Sequence, residues 1–150
     1  MLPAILDEGV ILGATPTDWR EAVELAGAAL TAAGAARPEY AGEMVRMIDQ
    51  HGPYIVVAPG LALAHARPGP EVVADGLAVV TLAMPVEFGH PYNDPVRVVL
   101  GVAAASNESH LQAVAELANI FNDSDAVDRL ARAASPDEVR GILGVGETAE

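Results

Sequence analysis

The spacing of apolar residues changes twice along the chain, from a helical period to a strand period and back. Residues 17–34 and 38–51 carry apolar side chains at helical spacing, with a cap at Thr17, an end at Gly34 and Pro38 in the first turn of the second segment. Between residues 54 and 105 the apolar residues form short β-branched or alternating runs, separated by turn residues. These runs predict strands at YIVVA, LALAH, LAVVTLAM and VRVVLGVAAA.

Helical periodicity returns after residue 105. Ser106 or Asn107 is placed to cap a helix through ESHLQAVAELANIF, and a further helix fits SDAVDRLARAA. Ser135 and Glu138 have the spacing of a capping box and open the last helix. The order of helices, strands and helices predicts one domain over residues 1–150. Its expected fold is an α/β sandwich, with a central mixed β-sheet flanked by helices on both faces.

Charge and composition narrow the classes of function. The chain has 21 acidic and 8 basic residues, no lysine and a formal net charge of −13, which excludes nucleic acid as a partner because phosphate binding needs clustered cations. Without cysteine there is no disulfide, no thiol nucleophile and no sulfur-rich zinc site. No apolar stretch reaches the roughly 18 to 20 residues that span a bilayer, and residues 1–10 lack the basic flank of a secretory signal. We therefore expect a cytoplasmic protein that is not embedded in a membrane.

Histidines are the candidate reactive groups. His51, His65, His90 and His110 show no helical metal-binding spacing and no dense acidic cluster beside them, so no metal is expected. His65 ends an apolar strand, and His110 falls in the first turn of a predicted helix, where free N–H groups favour an anion. Neutral imidazole is a competent nucleophile at pH 7 that needs neither cysteine nor metal. A phosphoryl group is a sensible ligand for such a pair.

Each of these histidines also has a purely structural interpretation. Taken singly, His65 or His110 is more often a core or surface histidine, and the pair is informative only if the two meet in space. His51 sits at a predicted helix end, where a cationic ring stabilises the helix dipole. Residues 90–95 read as a structured turn, although the alternative is that this loop brings His90 or Asn93 to the reactive site.

Three motifs together resemble a known family. The strings PGLALAHARP, FGHPYNDPVRVVLGVAA and SNESHLQAVAELANIF occur in the order and spacing of the enzyme IIA domain of the sugar phosphotransferase system, mannitol–fructose class. HGPYIVVAPGLALAHARP is most similar to its ascorbate-type branch. The resemblance implies a phosphotransferase with no cofactor, in which His65 accepts a phosphoryl group from the phosphocarrier HPr. It also implies that His110 stabilises the phosphorylated ring and that the group passes to enzyme IIB of the permease.

The chain departs from that family pattern at two places. Family members commonly have proline directly before the acceptor histidine, where this chain has Ala64. Mannitol-type members carry an arginine that helps the phosphoryl group, and Gln50 or His51 falls at the equivalent position here. Gln50 offers a neutral hydrogen bond and no charge. Arg67 is the alternative source of positive charge, with a solvated loop arginine as the competing interpretation.

The resulting hypothesis is a phosphocarrier of the sugar phosphotransferase system, with His65 and His110 as catalytic residues and Arg67 and Gln50 as phosphoryl-binding residues. The alternative is a regulatory domain of the same fold, phosphorylated on His65, that signals by binding proteins. A third interpretation is a non-catalytic binding module with fortuitous histidines. The sequence specifies neither the sugar nor the oligomeric state, because a IIA domain contacts other proteins rather than the sugar.

Overall fold

A mixed five-stranded sheet forms the centre of the part of the chain, residues 2–147, that the computed structural model describes. Its strands are β1 (Val10–Ala14), β2 (Val56–Ala58), β3 (Leu61–Ala64), β4 (Gly76–Val86) and β5 (Val96–Ala103). They lie in the order β1-β4-β5-β3-β2. The pairs β1–β4 and β3–β5 are parallel, whereas β4–β5 and β2–β3 are antiparallel. The predicted mixed sheet is confirmed.

Helices cover both faces of this sheet. They are α1 (Trp19–Ala32), α2 (Glu39–His51), α3 (Asn107–Phe121), α4 (Ala126–Ala131) and α5 (Pro136–Leu143). The first two share one hydrophobic core with the sheet, and the last three share the other. The predicted α/β sandwich is therefore confirmed. None of the helices within residues 2–147 is both long and apolar enough to cross a bilayer.

The alternation of side chains along the strands divides the two cores. In β3, Ala62 faces α1 and α2, whereas Leu61 and Leu63 belong to the core under α3, α4 and α5. Small residues on the first face let α1 approach closely. A Cβ on Gly101 would lie only 3.2 Å from the carbonyl oxygen of Ala26, so a larger residue there would push the helix away.

Several boundaries differ from the sequence-based prediction. The cap of α1 is Asp18 rather than Thr17: the Asp18 carboxylate accepts a hydrogen bond from the N–H of Glu21, a position where negative charge also favours the helix dipole. Strand β3 ends at Ala64, so His65 lies just outside it. Strand β1 was not predicted, because its short apolar run contains Gly13 at φ +66° and has no clear period.

The parallel pair β3–β5 determines where the candidate catalytic histidines meet. Register pairs Ala64 with Gly101, so the two strands run side by side to the same edge of the sheet. His65 follows the end of β3, and α3 begins a few residues after the end of β5. The carboxyl ends of adjacent parallel strands are a common location for binding sites in α/β proteins.

Candidate functional site

The two candidate catalytic histidines lie side by side at this edge of the sheet. The ring centroids of His65 and His110 are 5.1 Å apart, with an interplanar angle of 45°. The pair is distant in sequence and is brought together by the parallel register of β3 and β5. The structure thus places both residues where one small group can contact both rings.

A backbone hydrogen bond fixes the His65 ring and its tautomer. Nδ1 lies 2.7 Å from the carbonyl oxygen of Leu63. Since a carbonyl can only accept, Nδ1 carries the hydrogen and Nε2 of the neutral ring keeps its lone pair. Burial lowers the pKa of the half-buried His65 ring, and positive charge on His110 lowers it further, while the bond to Leu63 acts in the opposite direction. The Nε2 atom of His65 is therefore an available nucleophile near pH 7.

His110 stands in the first turn of a well-capped helix. The Ser106 hydroxyl accepts from the N–H of Ser109 at 3.1 Å, and the Ser109 hydroxyl accepts from the N–H of Ser106 at 3.2 Å. Of the two predicted caps, Ser106 is therefore the one used. Within residues 2–147 the His110 ring nitrogens make no hydrogen bond, and they lie near the positive end of the α3 dipole. The ring is free to bind an anion held beside His65.

Tyr54 forms a wall of the site that the sequence analysis did not single out. Its ring meets the His65 ring edge-on, with centroids 5.4 Å apart, and its hydroxyl lies 3.4 Å from the His65 carbonyl oxygen. The other side of Tyr54 faces His51 at 6.4 Å. Burial raises the pKa of Tyr54, and the charge of Arg67 partly opposes this. An aromatic residue just before the strand that neighbours β3 was the available signal.

Gln50 and Arg67 lie close to each other, but in a cavity that neither His65 nor His110 lines. Both residues line this cavity of about 310 Å³, which lies between the end of α2 and the loop after His65. Both side chains are exposed, and within residues 2–147 neither makes a hydrogen bond or ion pair. Arg67 is close enough to Tyr54 to affect its pKa. A phosphoryl-binding role for Gln50 and Arg67 stays a prediction.

Hydrogen bonds within the loop of residues 88–95 stabilise its turn. The Asp94 carboxylate accepts hydrogen bonds from the N–H groups of Phe88, Gly89 and His90, and His90 Nδ1 accepts from those of Tyr92 and Asn93. The structured turn is therefore confirmed.

That loop also lies at the wrong end of β3 to reach the histidine pair. The carbonyl of Asn93 accepts from the N–H of Gly60, which precedes β3, whereas His65 follows the strand. The alternative that His90 or Asn93 approaches the reactive site is wrong. The remaining histidine, His51, is the last residue of α2 and is exposed, as its structural interpretation required.

Comparison with known proteins decides the family. A family model described as "Phosphoenolpyruvate-dependent sugar phosphotransferase system, EIIA 2" matches residues 4–144. The chain belongs to this EIIA family. The ascorbate-specific EIIA component of Shigella boydii is 36% identical to this EIIA chain over 138 residues, covering 91% of the chain and 90% of the relative. The resemblance noted in the sequence is confirmed.

Solved structures agree with the fold of this EIIA protein. In the complex of enzyme IIA and phosphorylated enzyme IIB for mannitol from Escherichia coli, the matching chain superposes with a TM-score of 0.81 at 29% identity, covering 91% of this chain and 94% of that one. The nitrogen regulatory protein IIA-Ntr of Neisseria meningitidis superposes with a TM-score of 0.78 at 24% identity, covering 93% and 96%, a likeness of fold alone. The span matched by the family model includes both His65 and His110.

Proposed function

We propose that this EIIA protein is a phosphocarrier that accepts a phosphoryl group from HPr on Nε2 of His65 and passes it to enzyme IIB. The observation that carries the proposal is the His65–His110 pair, with ring centroids 5.1 Å apart and Nδ1 of His65 bonded to the Leu63 carbonyl. That bond reserves Nε2 for attack. Membership of the EIIA family supplies the class of reaction.

Transfer onto the protein is a displacement at phosphorus. The Nε2 lone pair of His65 forms the new N–P bond, the N–P bond of the HPr phosphohistidine breaks, and its electron pair stays on the HPr ring. With Nδ1 still protonated, the phosphorylated His65 ring carries positive charge. The Leu63 carbonyl oxygen, 2.7 Å from Nδ1, stabilises that charge. In the second transfer a nucleophile of enzyme IIB, implied to be a cysteine, attacks the same phosphorus and His65 leaves as the neutral ring.

The surrounding residues compensate the negative charge of the phosphoryl group. We infer that His110 donates a ring N–H to a phosphoryl oxygen, which the 5.1 Å separation of the two ring centroids supports, and that the first turn of α3 adds the positive end of its dipole. A further cation is needed, because the helix end supplies only about half a charge. Arg67 fits that role, since it is exposed and makes no ion pair within residues 2–147. Gln50 lines the same cavity and would add a weaker, neutral hydrogen bond.

Ascorbate-type uptake is the most specific substrate assignment that the relatives support. The Shigella boydii relative, at 36% identity, is named an ascorbate-specific EIIA component. The Escherichia coli complex, in which a IIA chain binds phosphorylated IIB, supports enzyme IIB as the acceptor. We also infer a cytoplasmic location, because the proposed donor HPr draws its phosphoryl group from phosphoenolpyruvate.

The regulatory alternative has weaker support. The nitrogen regulatory IIA structure is 24% identical, which carries the fold and nothing more. A regulator would take the phosphoryl group on His65 without delivering it to a permease component.

Delivery to enzyme IIB separates these two functions. The phosphorylated protein is mixed with purified IIB of the ascorbate type and of the mannitol type, and phosphoryl transfer is followed by mass spectrometry. We expect rapid transfer to the ascorbate-type IIB and slower transfer to the mannitol-type IIB. Retention of the phosphoryl group with both acceptors would favour the regulator and overturn the proposed transport function.

A further inference from the structure

The hydroxyl of a buried tyrosine joins the two backbone segments that carry the histidines. Tyr40, in the first turn of α2, is 1% exposed. Its oxygen accepts a hydrogen bond from the N–H of Ala66 at 3.0 Å and donates to the carbonyl of Val102 at 2.8 Å. Ala66 directly follows His65, and Val102 lies near the end of β5, which leads into the helix of His110.

The Tyr40 hydroxyl takes the place of a direct backbone hydrogen bond between β3 and β5. Direct pairing of β3 and β5 ends at Ala64 and Gly101. One step further along a parallel ladder, the N–H of Ala66 would bond directly to the carbonyl of Val102. Those are the two groups that Tyr40 bridges. An oxygen atom therefore stands between the strands at the level of His65, which lets the chain leave the ladder there.

The two hydrogen bonds of the Tyr40 hydroxyl join backbone groups of residues that are almost completely shielded from water. Ala66 is 7% exposed and Val102 2% exposed. Burial raises the pKa of Tyr40 to about 12, so the hydroxyl keeps the hydrogen it donates to Val102. Removing the hydroxyl would leave the buried N–H of Ala66 and the buried carbonyl of Val102 unpaired, or would let the strands close onto each other.

We propose that Tyr40 is a positioning residue for phosphoryl transfer, whose hydroxyl holds the backbone at His65 at a fixed separation from β5 and thereby sets the His65 ring against His110. The inference rests on the proposed function of His65 as the acceptor. Tyr40 touches neither ring and acts through the Ala66 amide, which is one peptide unit from His65. A misplacement of about 1 Å in such a site is enough to slow a transfer markedly.

Tyr40→Phe tests this inference, with Thr81→Val as the matched control. The Thr81 hydroxyl is also buried and accepts from the N–H of Gly13 at 2.9 Å, on the β1–β4 side of the sheet away from the histidines. Each variant removes one buried hydroxyl that accepts a hydrogen bond from a backbone N–H, so both should be less stable. Only Tyr40→Phe should lower the rate constant of phosphoryl uptake at saturating HPr, by about tenfold, with little change in KM for HPr.

An NMR titration of the His65 ring gives a readout that loss of stability does not move. In Tyr40→Phe the pKa of His65 should rise toward the ordinary histidine value as the ring leaves its half-buried position, whereas in Thr81→Val it should match wild type. A folded Tyr40→Phe protein with wild-type uptake and wild-type His65 titration would overturn the inference. So would an equal loss of uptake in Thr81→Val.

A stabilised double variant and an amide-exchange measurement complete the test. If Tyr40→Phe folds poorly, it is combined with Gly42→Ala. Gly42 is an exposed helix position where a Cβ would meet nothing within 4 Å, so the alanine should stabilise α2. In the wild type, the Ala66 amide should exchange slowly with solvent, and fast exchange would overturn the bridge. If the wild type takes no phosphoryl group from HPr, the proposed function fails, while the NMR and exchange data still decide whether Tyr40 positions His65.

Discussion

His65 combines a fixed tautomer with an environment that disfavours its charged form. Burial is the larger cause of its lowered pKa, and the positive charge of His110 is the smaller one. An NMR titration should therefore find the pKa of His65 below about 6.5, the ordinary histidine value. His110→Gln should raise the pKa of His65 only part of the way back. A pKa of His65 above the ordinary value would contradict this description of the site.

The same shift makes stability depend on pH with a definite sign. At pH values between the lower folded pKa and the ordinary unfolded pKa of His65, the unfolded chain binds more protons than the folded one. The free energy of unfolding should therefore fall as pH drops through about 6.5, and level off below the folded pKa. Urea unfolding from pH 7.5 to 5 should show a smaller fall in His65→Gln than in wild type. Identical pH dependence of the two proteins would be the contrary result.

Arg67 and Gln50 carry the prediction about charge compensation. Arg67→Ala should slow phosphoryl uptake from HPr by about tenfold, equivalent to about 1.4 kcal/mol, the size of one charge-assisted contact. Gln50→Ala should cost less, because its hydrogen bond is neutral. Arg132→Ala is the matched control, since Arg132 is also exposed and, within residues 2–147, makes no ion pair. Equal rates of phosphoryl uptake in Arg67→Ala and Arg132→Ala would show that Arg67 is only a solvated loop arginine.

The sequence singles out His65 and His110 as candidates but gives no sign of the tyrosines around them. His65 and His110 sit in recognisable motifs at the ends of predicted elements. Tyr40 reads in sequence only as part of an apolar helix face. Its hydroxyl gains a role from the backbone groups of Ala66 and Val102, which no local pattern can place beside it.

At the level of elements, the contact between α1 and α2 is tight because both helices present small residues. A Cβ on Gly27 would lie 2.5 Å from the Cβ of Ala41, which is too close for any real pair of atoms. Gly27→Ala should therefore lower the free energy of unfolding by about 1–3 kcal/mol through overpacking.

Gly42→Ala, on α2 of the same helix pair, should have the opposite effect on stability from Gly27→Ala. Its Cβ would meet nothing within 4 Å, so the substitution should raise the free energy of unfolding by about 0.5–1 kcal/mol through helix propensity. Urea unfolding of both variants decides the point. A Gly27→Ala protein as stable as Gly42→Ala would show that the two helices are free to separate.

Most helices and strands were predictable from the sequence, including the short strands β2 and β3 and the short helices α4 and α5, whereas β1 was not. Helices α1, α2 and α3 follow from apolar spacing and capping residues, and β4 and β5 from β-branched runs. Strand β1 spans only five residues and contains a glycine at positive φ. It forms a strand because it pairs in parallel with β4. That pairing is a tertiary contact, which the local sequence of β1 does not show.

For the molecule as a whole, one sheet contributes residues to both hydrophobic cores. Neighbouring residues such as Val79 and Val80 of β4 face opposite cores, so neither core can be lost without disrupting the sheet. We expect the chain to unfold as a single domain in one cooperative transition. Urea curves recorded by circular dichroism and by Trp19 fluorescence should coincide. Two separated transitions would contradict the single-domain prediction for residues 1–150.

The central claim is that His65 is the phosphoryl acceptor, and mapping the modified residue tests it most directly. The protein is incubated with enzyme I, HPr and phosphoenolpyruvate, and the phosphorylated peptide is identified by mass spectrometry under conditions that preserve phosphohistidine. His90→Gln is the control, because that ring lies in the loop at the other end of β3. We predict one phosphoryl group on His65 in wild type and His90→Gln, none in His65→Ala, and uptake with slower onward transfer in His110→Ala. Phosphorylation of His65→Ala at the wild-type level would contradict the account.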